Sequence, residues 1–169
     1  MMCNKGCTNA IQNRKFLSCV LNAENGYEYE RVITPATTKK KVVIVGGGPA
    51  GMEAARVARL KGHDVVLFEK ETTLGGQLNI ACIPPRKSEM TRGIHYLTNE
   101  MKELNVDLRL GKEACANCIM EENPDHVIIA VGAYNIVPPI DGSKQPHVLD
   151  AWKVLNHEQL PSGEVVVIG

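Results

Sequence analysis

The sequence predicts an α/β fold built on a parallel β-sheet, and three observations carry that prediction. Residues 42–45 are four consecutive β-branched residues, which is typical of a strand buried on both faces of a sheet. A glycine-rich turn and a helix-forming run follow this strand directly, and a second apolar strand, Asp64–Phe68, comes after them. Strand, glycine turn, helix and strand in this order are typical of a β–α–β unit that binds a dinucleotide.

The glycine turn has the spacing that a dinucleotide pyrophosphate requires. Gly46, Gly48 and Gly51 form the pattern G-x-G-x-x-G, and Pro49 and Ala50 lie between the last two. The first glycine makes the tight turn, the second lets the backbone approach the pyrophosphate, and the third lets the helix pack on the strand. A helix N-terminus also presents unpaired N–H groups to phosphates. We interpret this turn as a pyrophosphate site; a turn used only for packing is the alternative.

Two features after the second strand agree with a dinucleotide site. Glu69 ends that strand, at a distance from Gly46 close to the ~20 residues expected for a carboxylate that binds the adenosine ribose. Gly75-Gly76-Gln77 follows in a loop where a bound dinucleotide would pass, so we interpret it as a close approach of backbone to cofactor. A plain glycine turn is the alternative for this loop.

Length, charge and apolar content describe an ordinary globular protein. The chain has 169 residues, which allows one packed domain with an appendage but not two full nucleotide-binding domains. A formal net charge of zero gives no indication of nucleic acid or a membrane surface as partner, and no run approaches the ~18 apolar residues of a membrane span. We therefore expect a cytoplasmic protein whose six cysteines are reduced, metal-binding or redox-active.

The first 38 residues form a cysteine-rich arm and a linker. Cys3, Cys7 and Cys19 have the spacing C-x3-C-x11-C in a stretch with few apolar residues, which suggests a metal or iron–sulfur site that organises the arm. Iron–sulfur clusters and structural zinc normally take four protein ligands, whereas this arm supplies three. Unligated thiols and a purely structural zinc site are the alternatives.

The remainder of the sequence predicts one long helix and two more strands. Ser88 is placed to cap that helix, and strands are predicted at 106–110 and at 126–132, the second of them buried. Apolar residues at helical spacing predict its core face; they are Met90, Ile94, Leu97, Met101 and Leu104. For the earlier helix the residues available to the core are Met52, Ala55, Val57 and Leu60.

Three cysteines lie outside the arm. Cys115 and Cys118 form a C-x2-C pair that could chelate a metal or act as a redox dithiol. No further ligands or helix-start signal accompany the pair, so we interpret both residues, and the isolated Cys82, as ordinary thiols. The five histidines share no ligand spacing, and none is nominated for catalysis.

The end of the sequence repeats its opening phrase. After a short predicted helix around 150–155, the run Val165–Gly169 matches Val42–Gly46 as a strand leading into a glycine. We expect a second dinucleotide fold to begin here and to be cut off. An unpaired apolar strand of this kind is expected to add to the first sheet, to pair across a homo-oligomer, or to be disordered.

These motifs together resemble one family. The cysteine pattern, the phrase V-V-I-V-G-G-G-P-A-G, Glu69-Lys70, L-G-G-Q-L-N-I-A and I-I-A-V-G-A resemble the C-terminal portion of the 2,4-dienoyl-CoA reductase and 2-enoate reductase family, relatives of trimethylamine dehydrogenase. The resemblance covers essentially the whole chain. It implies a Rossmann-like three-layer FAD-binding domain with a parallel sheet, preceded by a cysteine-rich irregular segment. It also favours FAD over NAD as the ligand.

The resemblance also implies roles for single residues. Cys3, Cys7 and Cys19 match three of the four cysteines that hold a 4Fe-4S cluster, and the first family cysteine would lie three residues before Cys3. The residues that match positions around FAD are Gly46, Gly48, Pro49, Ala50, Gly51, Glu69, Lys70, Gly76, Gln77, Lys87, Ala114, Ala130 and Gly132.

The resemblance finally implies a function and a domain division. Residues 1–38 would be the iron–sulfur segment and linker, 39–140 a partial FAD-binding domain, and 141–169 a connector with the first strand of a truncated NAD(P)-binding domain. We expect a fragment of an FAD- and iron–sulfur-dependent NAD(P)H oxidoreductase that reduces activated alkenes of enoate or dienoyl-CoA type. NAD(P)H and FMN would act only in the intact enzyme, and this chain would hold FAD or its ADP part. The alternative is a stand-alone nucleotide-binding or electron-transfer module that works with separate subunits.

Overall fold

Four parallel strands form a sheet of order β3-β2-β1-β4 in the computed structural model, which describes residues 3–168. The strands are β1 Lys41–Val45, β2 Asp64–Glu69, β3 Asp107–Leu110 and β4 His126–Ile129. The α-helices are α1 Cys7–Gln12, α2 Pro49–Leu60, α3 Leu78–Ala81, α4 Thr91–Glu103, α5 Ala116–Glu121 and α6 Ala151–Leu155. This is the α/β fold that the sequence predicts. No helix in the described range is long and apolar enough to cross a membrane.

The register of the sheet places three strand ends side by side. β1 pairs with β2 from Lys41 opposite Asp64 to Val45 opposite Phe68, and with β4 up to Val45 opposite Ile129. The carboxyl ends of β1, β2 and β4 therefore lie at one edge of the sheet. In open parallel sheets, ligands bind in the crevice beyond this edge.

Helices α2 and α4 cover the first face of the sheet. Val42 and Ile44 of β1, with Val65 and Leu67 of β2, are buried there. The helical residues buried against them are Met52, Ala55, Ala58, Leu97 and Met101. Fully burying each large side chain contributes roughly 1.5–3 kcal/mol, so this face supplies most of the core.

Two details of the helices differ from the sequence prediction. Ala58 lies in the core beside Met52 and Ala55, while Leu60 is 40% exposed, because residues three apart share one helix face. Ser88 does not cap the long helix with its side chain; it begins a 3-10 turn, Ser88–Met90, and its carbonyl accepts a hydrogen bond from the Thr91 hydroxyl at 2.6 Å.

The second face of the sheet has a thinner cover. Val43, Val66 and Phe68 are buried there, and the partly buried residues packed on them are Ala114, Cys118 and Ile119. The prediction that the fourth strand is buried is wrong, since Ile129 is 74% exposed. β4 is an edge strand that pairs with β1 alone, and α2 lies mainly against β1 and β2.

The C-terminal run has no partner strand in the described part of the chain. Residues 165–168 lie outside the four-stranded sheet, and Val166 is 87% exposed. The expectation that this run adds to the first sheet is therefore wrong. Helix α6 forms where the sequence predicts it, because the Asp150 side chain accepts hydrogen bonds from the Trp152 and Lys153 N–H groups.

Candidate dinucleotide-binding site

The turn after β1 requires glycine at its first and third motif positions. Gly46 has a φ of +109°, its N–H donates to the Phe68 carbonyl at 2.8 Å, and a Cβ there would meet the carbonyl oxygen of Ala130. A Cβ on Gly51 would meet the carbonyl oxygen of Gly46, so only glycine lets α2 lie this close to the turn.

The start of α2 presents free backbone donors. Gly48 is the N-cap residue and Pro49 is the first helical residue, a position where the missing N–H of proline costs nothing. Among the described hydrogen bonds, the N–H groups of Gly48 and Ala50 donate to no protein acceptor. Unpaired donors at a helix N-terminus are the groups that bind phosphate oxygens.

Glu69 lies at the end of β2 and is fixed beside the glycine turn. Its side chain is buried, with 7% of the residue exposed. One carboxylate oxygen accepts the Gly47 N–H at 2.6 Å, and the other accepts the Glu71 N–H at 2.8 Å. A carboxylate has about four acceptor sites, so each oxygen retains capacity for a hydroxyl donor.

The Gly75–Gln77 loop closes over the turn. The Gly75 N–H donates to the Gly47 carbonyl at 2.9 Å. Gly76 has a φ of +52°, and a Cβ there would lie 3.0 Å from the Gly48 Cα. The two glycines thus pack directly against each other, and a side chain on Gly76 would push this loop away from the glycine turn.

The loop after β4 completes this edge of the sheet. The Ala130 N–H donates to the Val45 carbonyl at 2.8 Å, and the Gln77 side-chain amide donates to the Ala133 carbonyl at 2.6 Å. Gly132 has a φ of +76°, and a Cβ there would lie 3.2 Å from the Gln77 amide nitrogen. The sequence-predicted residues of three separate loops are therefore in direct contact.

Three other sequence-predicted residues lie away from this contact network. Lys70 is exposed and lies 4.0 Å from the Glu71 carboxylate. Lys87 is exposed and precedes the 3-10 turn, and Ala114 packs on the second face of the sheet. Their contact with a dinucleotide stays a prediction.

The cysteine arm does not assemble a metal site. Cys3 and Cys19 are exposed and Cys7 is half-buried. Within residues 3–168, no group of three His, Cys, Asp or Glu side chains could hold a metal ion. The three thiols therefore do not fit a 4Fe-4S cluster as they stand, and no electron-transfer step is derived through them.

Sequence reasoning missed the anchor that holds the arm. The Arg56 side chain is 13% exposed, and it pairs with Glu53 at 2.9 Å and with Glu24 of the arm at 3.2 Å. The hydrogen bonds that Arg56 donates to the Glu53 carboxylate raise the pKa of Arg56 above its usual value. Leu21 of the arm also lies against Gly93 of α4. The i, i+3 spacing of Glu53 and Arg56 indicates an ion pair within α2, but it gives no indication of Glu24, which is distant in the sequence.

The interpretation of Cys115 and Cys118 as ordinary thiols is wrong, because the structure joins them in a disulfide. Cys115 is the N-cap of α5, and the first turn of the helix brings its Cα within 5.1 Å of the Cys118 Cα. Cα atoms at this separation suit a disulfide. The prediction is wrong because the sequence analysis did not recognise the helix that begins after Cys115, and this helix brings the two cysteines together.

The strand order, glycine turn and buried Glu69 define the FAD-binding, Rossmann-like domain of a flavoprotein oxidoreductase. Residues 40–169 match the family model described as pyridine nucleotide-disulphide oxidoreductase. The chain belongs to this family, and it corresponds to the C-terminal FAD-binding portion of larger flavin oxidoreductases. The family resemblance stated from the sequence is confirmed.

Three larger proteins to which the chain is similar are reductases. The chain is 79% identical over 169 residues to a bilirubin reductase of Mediterraneibacter gnavus, covering all of this chain and 26% of that protein. It is 36% identical over 169 residues to a cinnamate reductase of Clostridium sporogenes, covering all of this chain and 25% of that protein. A solved 2-naphthoyl-CoA reductase in complex with 2-naphthoyl-CoA superposes with a TM-score of 0.89 at 34% identity, over 93% of this chain and 24% of that one. The chain thus spans about a quarter of the length of these relatives.

Proposed function

We propose that this chain binds the adenosine diphosphate part of FAD within a flavin-dependent reductase of activated C=C bonds. The observation that carries the proposal is the joint arrangement of three features. Free N–H groups lie at Gly48 and Ala50, Gly76 faces Gly48, and the Glu69 carboxylate is fixed beside them. These features fit a pyrophosphate with a ribose next to it.

The proposal assigns a role to each of the residues around the glycine turn. The Gly48 and Ala50 N–H groups donate to pyrophosphate oxygens, and the Glu69 carboxylate accepts from the ribose hydroxyls while it keeps the Gly47 and Glu71 N–H groups. Gln77 holds the loop after β4 in place through the Ala133 carbonyl. When bound, the flavin ring supplies the electron-transfer chemistry, and the protein supplies position.

We infer the substrate class from three of the relatives. Bilirubin, cinnamate and 2-naphthoyl-CoA all contain C=C bonds conjugated with rings or carbonyl groups, and the named relatives are reductases of these compounds. The 79% identity to the bilirubin reductase extends over the whole chain, which favours bilirubin as the substrate of the intact protein. We propose that NAD(P)H and FMN bind only in that intact enzyme, and that the enzyme is cytoplasmic.

The proposal extends to the arm and to the domain division. Cys3, Cys7 and Cys19 would be cluster ligands only after the arm rearranges and a fourth ligand joins them, since clusters take four. Residues 1–38 would then be the iron–sulfur segment and linker, 39–140 the partial FAD domain, and 141–169 the connector into an NAD(P)-binding domain. Visible absorption together with metal analysis after reconstitution with iron and sulfide tests the cluster.

Calorimetric titration of the purified chain tests the nucleotide site. We expect ADP to bind, and FAD to bind no more tightly than ADP, because the residues that line the turn contact only the adenosine diphosphate half. Absence of ADP binding would refute the proposed site. Tight FAD binding with the absorption spectrum of a bound flavin would refute the restriction to the ADP part.

A further inference from the structure

The Cys115–Cys118 disulfide has one reachable and one protected sulfur. Cys115 is exposed at the N-cap of α5, whereas Cys118 is half-buried and packs on the apolar cluster of Val43, Val66 and Phe68. The Cys118 N–H also donates to the Cys115 sulfur at 3.1 Å. An external thiolate therefore reaches Cys115 first, and Cys118 is the leaving group in that exchange.

The disulfide lies within a segment that starts at the candidate nucleotide site. We name residues 112–122 the bridge segment. Its first N–H, from Lys112, donates to the Glu69 carbonyl at 3.0 Å, and the preceding Gly111 N–H donates to the Glu71 carbonyl at 2.8 Å. The side chain of Glu69 holds the glycine turn, so one residue joins the bridge segment to the site.

Few other contacts hold the bridge segment to the protein. At its far end the Glu122 carboxylate pairs with Lys41 at 2.8 Å and with Arg109 at 3.6 Å, and at its near end the Lys112 ammonium lies 5.6 Å from the centroid of the Phe68 ring. Between the two ends, Ala114, Cys118 and Ile119 are the partly buried residues on the second face of the sheet. Helix α5 has only six residues, and a helix this short is not stable without external support. The disulfide across its first turn is therefore a large part of what keeps it folded.

We propose that Cys115 and Cys118 form a redox-active dithiol–disulfide site, and that its reduction loosens the bridge segment beside the adenosine half of the nucleotide site. The reductant is a dithiol. One of its thiolates attacks the Cys115 sulfur, forms a mixed disulfide and releases the Cys118 thiolate, which takes up a proton. The second thiol of the reductant then attacks the reductant's first sulfur atom in the mixed disulfide and releases the Cys115 thiol. The cysteine pair gains two electrons and two protons, and the dithiol leaves as a disulfide.

The size of the loop sets the expected effect. According to the chain-entropy relation, a disulfide that closes so short a loop lowers the equilibrium constant for opening of the segment by roughly 20-fold. Amide exchange in the bridge segment is then expected to be about 20-fold faster after reduction. The effect on nucleotide affinity rests on the proposed function, and we expect a loss of several-fold, because Lys112 contacts the backbone of Glu69 and not its carboxylate.

Three measurements on the full chain test the inference. The chain is equilibrated with oxidised and reduced dithiothreitol, and thiols are counted per peptide by maleimide labelling and mass spectrometry. Hydrogen–deuterium exchange then compares peptides from the bridge segment and from β1 in both states. ADP titration follows in each state. The C115S/C118S variant imitates the reduced state, and C82S is the matched control, since Cys82 is half-buried and lies in another loop.

The expected result is reversible labelling of both cysteines, faster exchange confined to the bridge segment, and C82S behaving as wild type. Resistance of the pair to millimolar dithiol, or equal exchange in both states, would overturn the inference. Equal ADP affinity in the two states would overturn the coupling to the site. Loss of ADP binding in both states counts against the proposed function alone, and the labelling and exchange results still decide the redox site.

Discussion

Replacing Gly48 by alanine separates nucleotide binding from folding. The backbone of Gly48 has φ −74° and ψ −179°, which any residue adopts. A Cβ there would find the Gly76 Cα as its nearest neighbour, at 3.9 Å, which is ordinary van der Waals contact. The protein itself therefore has room for the methyl group. We place the pyrophosphate against the Gly48 backbone, because the second motif glycine is where the backbone approaches it most closely, so a methyl group there would crowd it.

The expected magnitudes follow from these two facts. Alanine at a compatible backbone position gains roughly 0.4–1 kcal/mol through the unfolded state. As an N-cap it is worse than glycine by a similar amount, so the free energy of unfolding should change by less than about 0.5 kcal/mol. For the ligand, a crowded methyl costs about 1–3 kcal/mol, and a displaced charge-assisted hydrogen bond adds about 1.5–3 kcal/mol. ADP affinity should fall by roughly 60-fold or more.

Gly62→Ala is the matched control with the opposite profile. Gly62 has a φ of +90° and no neighbouring atom within 4 Å, so alanine there is strained but makes no clash. It should destabilise the fold by roughly 1–2 kcal/mol. Gly62 lies just after the C-terminal end of α2, and the glycine turn lies at the start of this helix, about 18 Å away, so ADP binding should be unchanged. Urea unfolding and calorimetry measure both quantities. Wild-type ADP affinity in Gly48→Ala would refute the placement of the pyrophosphate.

Three further predictions concern charged side chains. Glu69→Gln should weaken ADP binding by about 10- to 100-fold, measured by calorimetry, because a neutral amide replaces a charged acceptor; unchanged affinity would exclude a ribose contact. The hydrogen bond that Lys41 donates lowers the pKa of Glu122 below its ordinary value of 4.5, so the pair stabilises the fold above pH 4.5 and this stabilisation is lost as the pH falls below 4.5. The Glu122→Gln variant should therefore have a lower Tm than wild type above pH 4.5, and the difference in Tm should shrink as the pH falls below that value. Arg56→Met should release Glu24 and the rest of the arm from α2, and accelerate proteolysis at residues 3–31 with little change at β1; equal cleavage of arm and sheet would contradict this.

The parts of the fold and site that the sequence predicts are those set by local spacing. Gly46, Gly48 and Gly51 lie within one turn, and Glu69 ends the next strand along, so a single β–α–β unit brings them together. The contact of Gln77 with the loop after β4 is consistent with the sequence, which places both near FAD by resemblance, but the contact itself is an observation of the structure.

The remainder depends on contacts between segments far apart in the sequence. The apolar run of β4 has the composition of a buried strand, yet it lies at the sheet edge, and burial depends on which elements cover it. The Arg56–Glu24 pair joins two segments that no spacing rule relates. The Cys115–Cys118 bridge needed the start of a six-residue helix, which periodicity cannot detect at that length.

The candidate site is held in shape by the protein before any ligand arrives. The Gly46 N–H is bonded to the Phe68 carbonyl, the Gly47 N–H to the Glu69 carboxylate, and the Gly75 N–H to the Gly47 carbonyl. Each such bond contributes about 1 kcal/mol, and together they fix the turn against β2 and the next loop. A preorganised site loses less entropy on binding. We therefore expect the chain to retain the adenosine half of the dinucleotide although its β4 edge is exposed, since none of the three bonds involves β4.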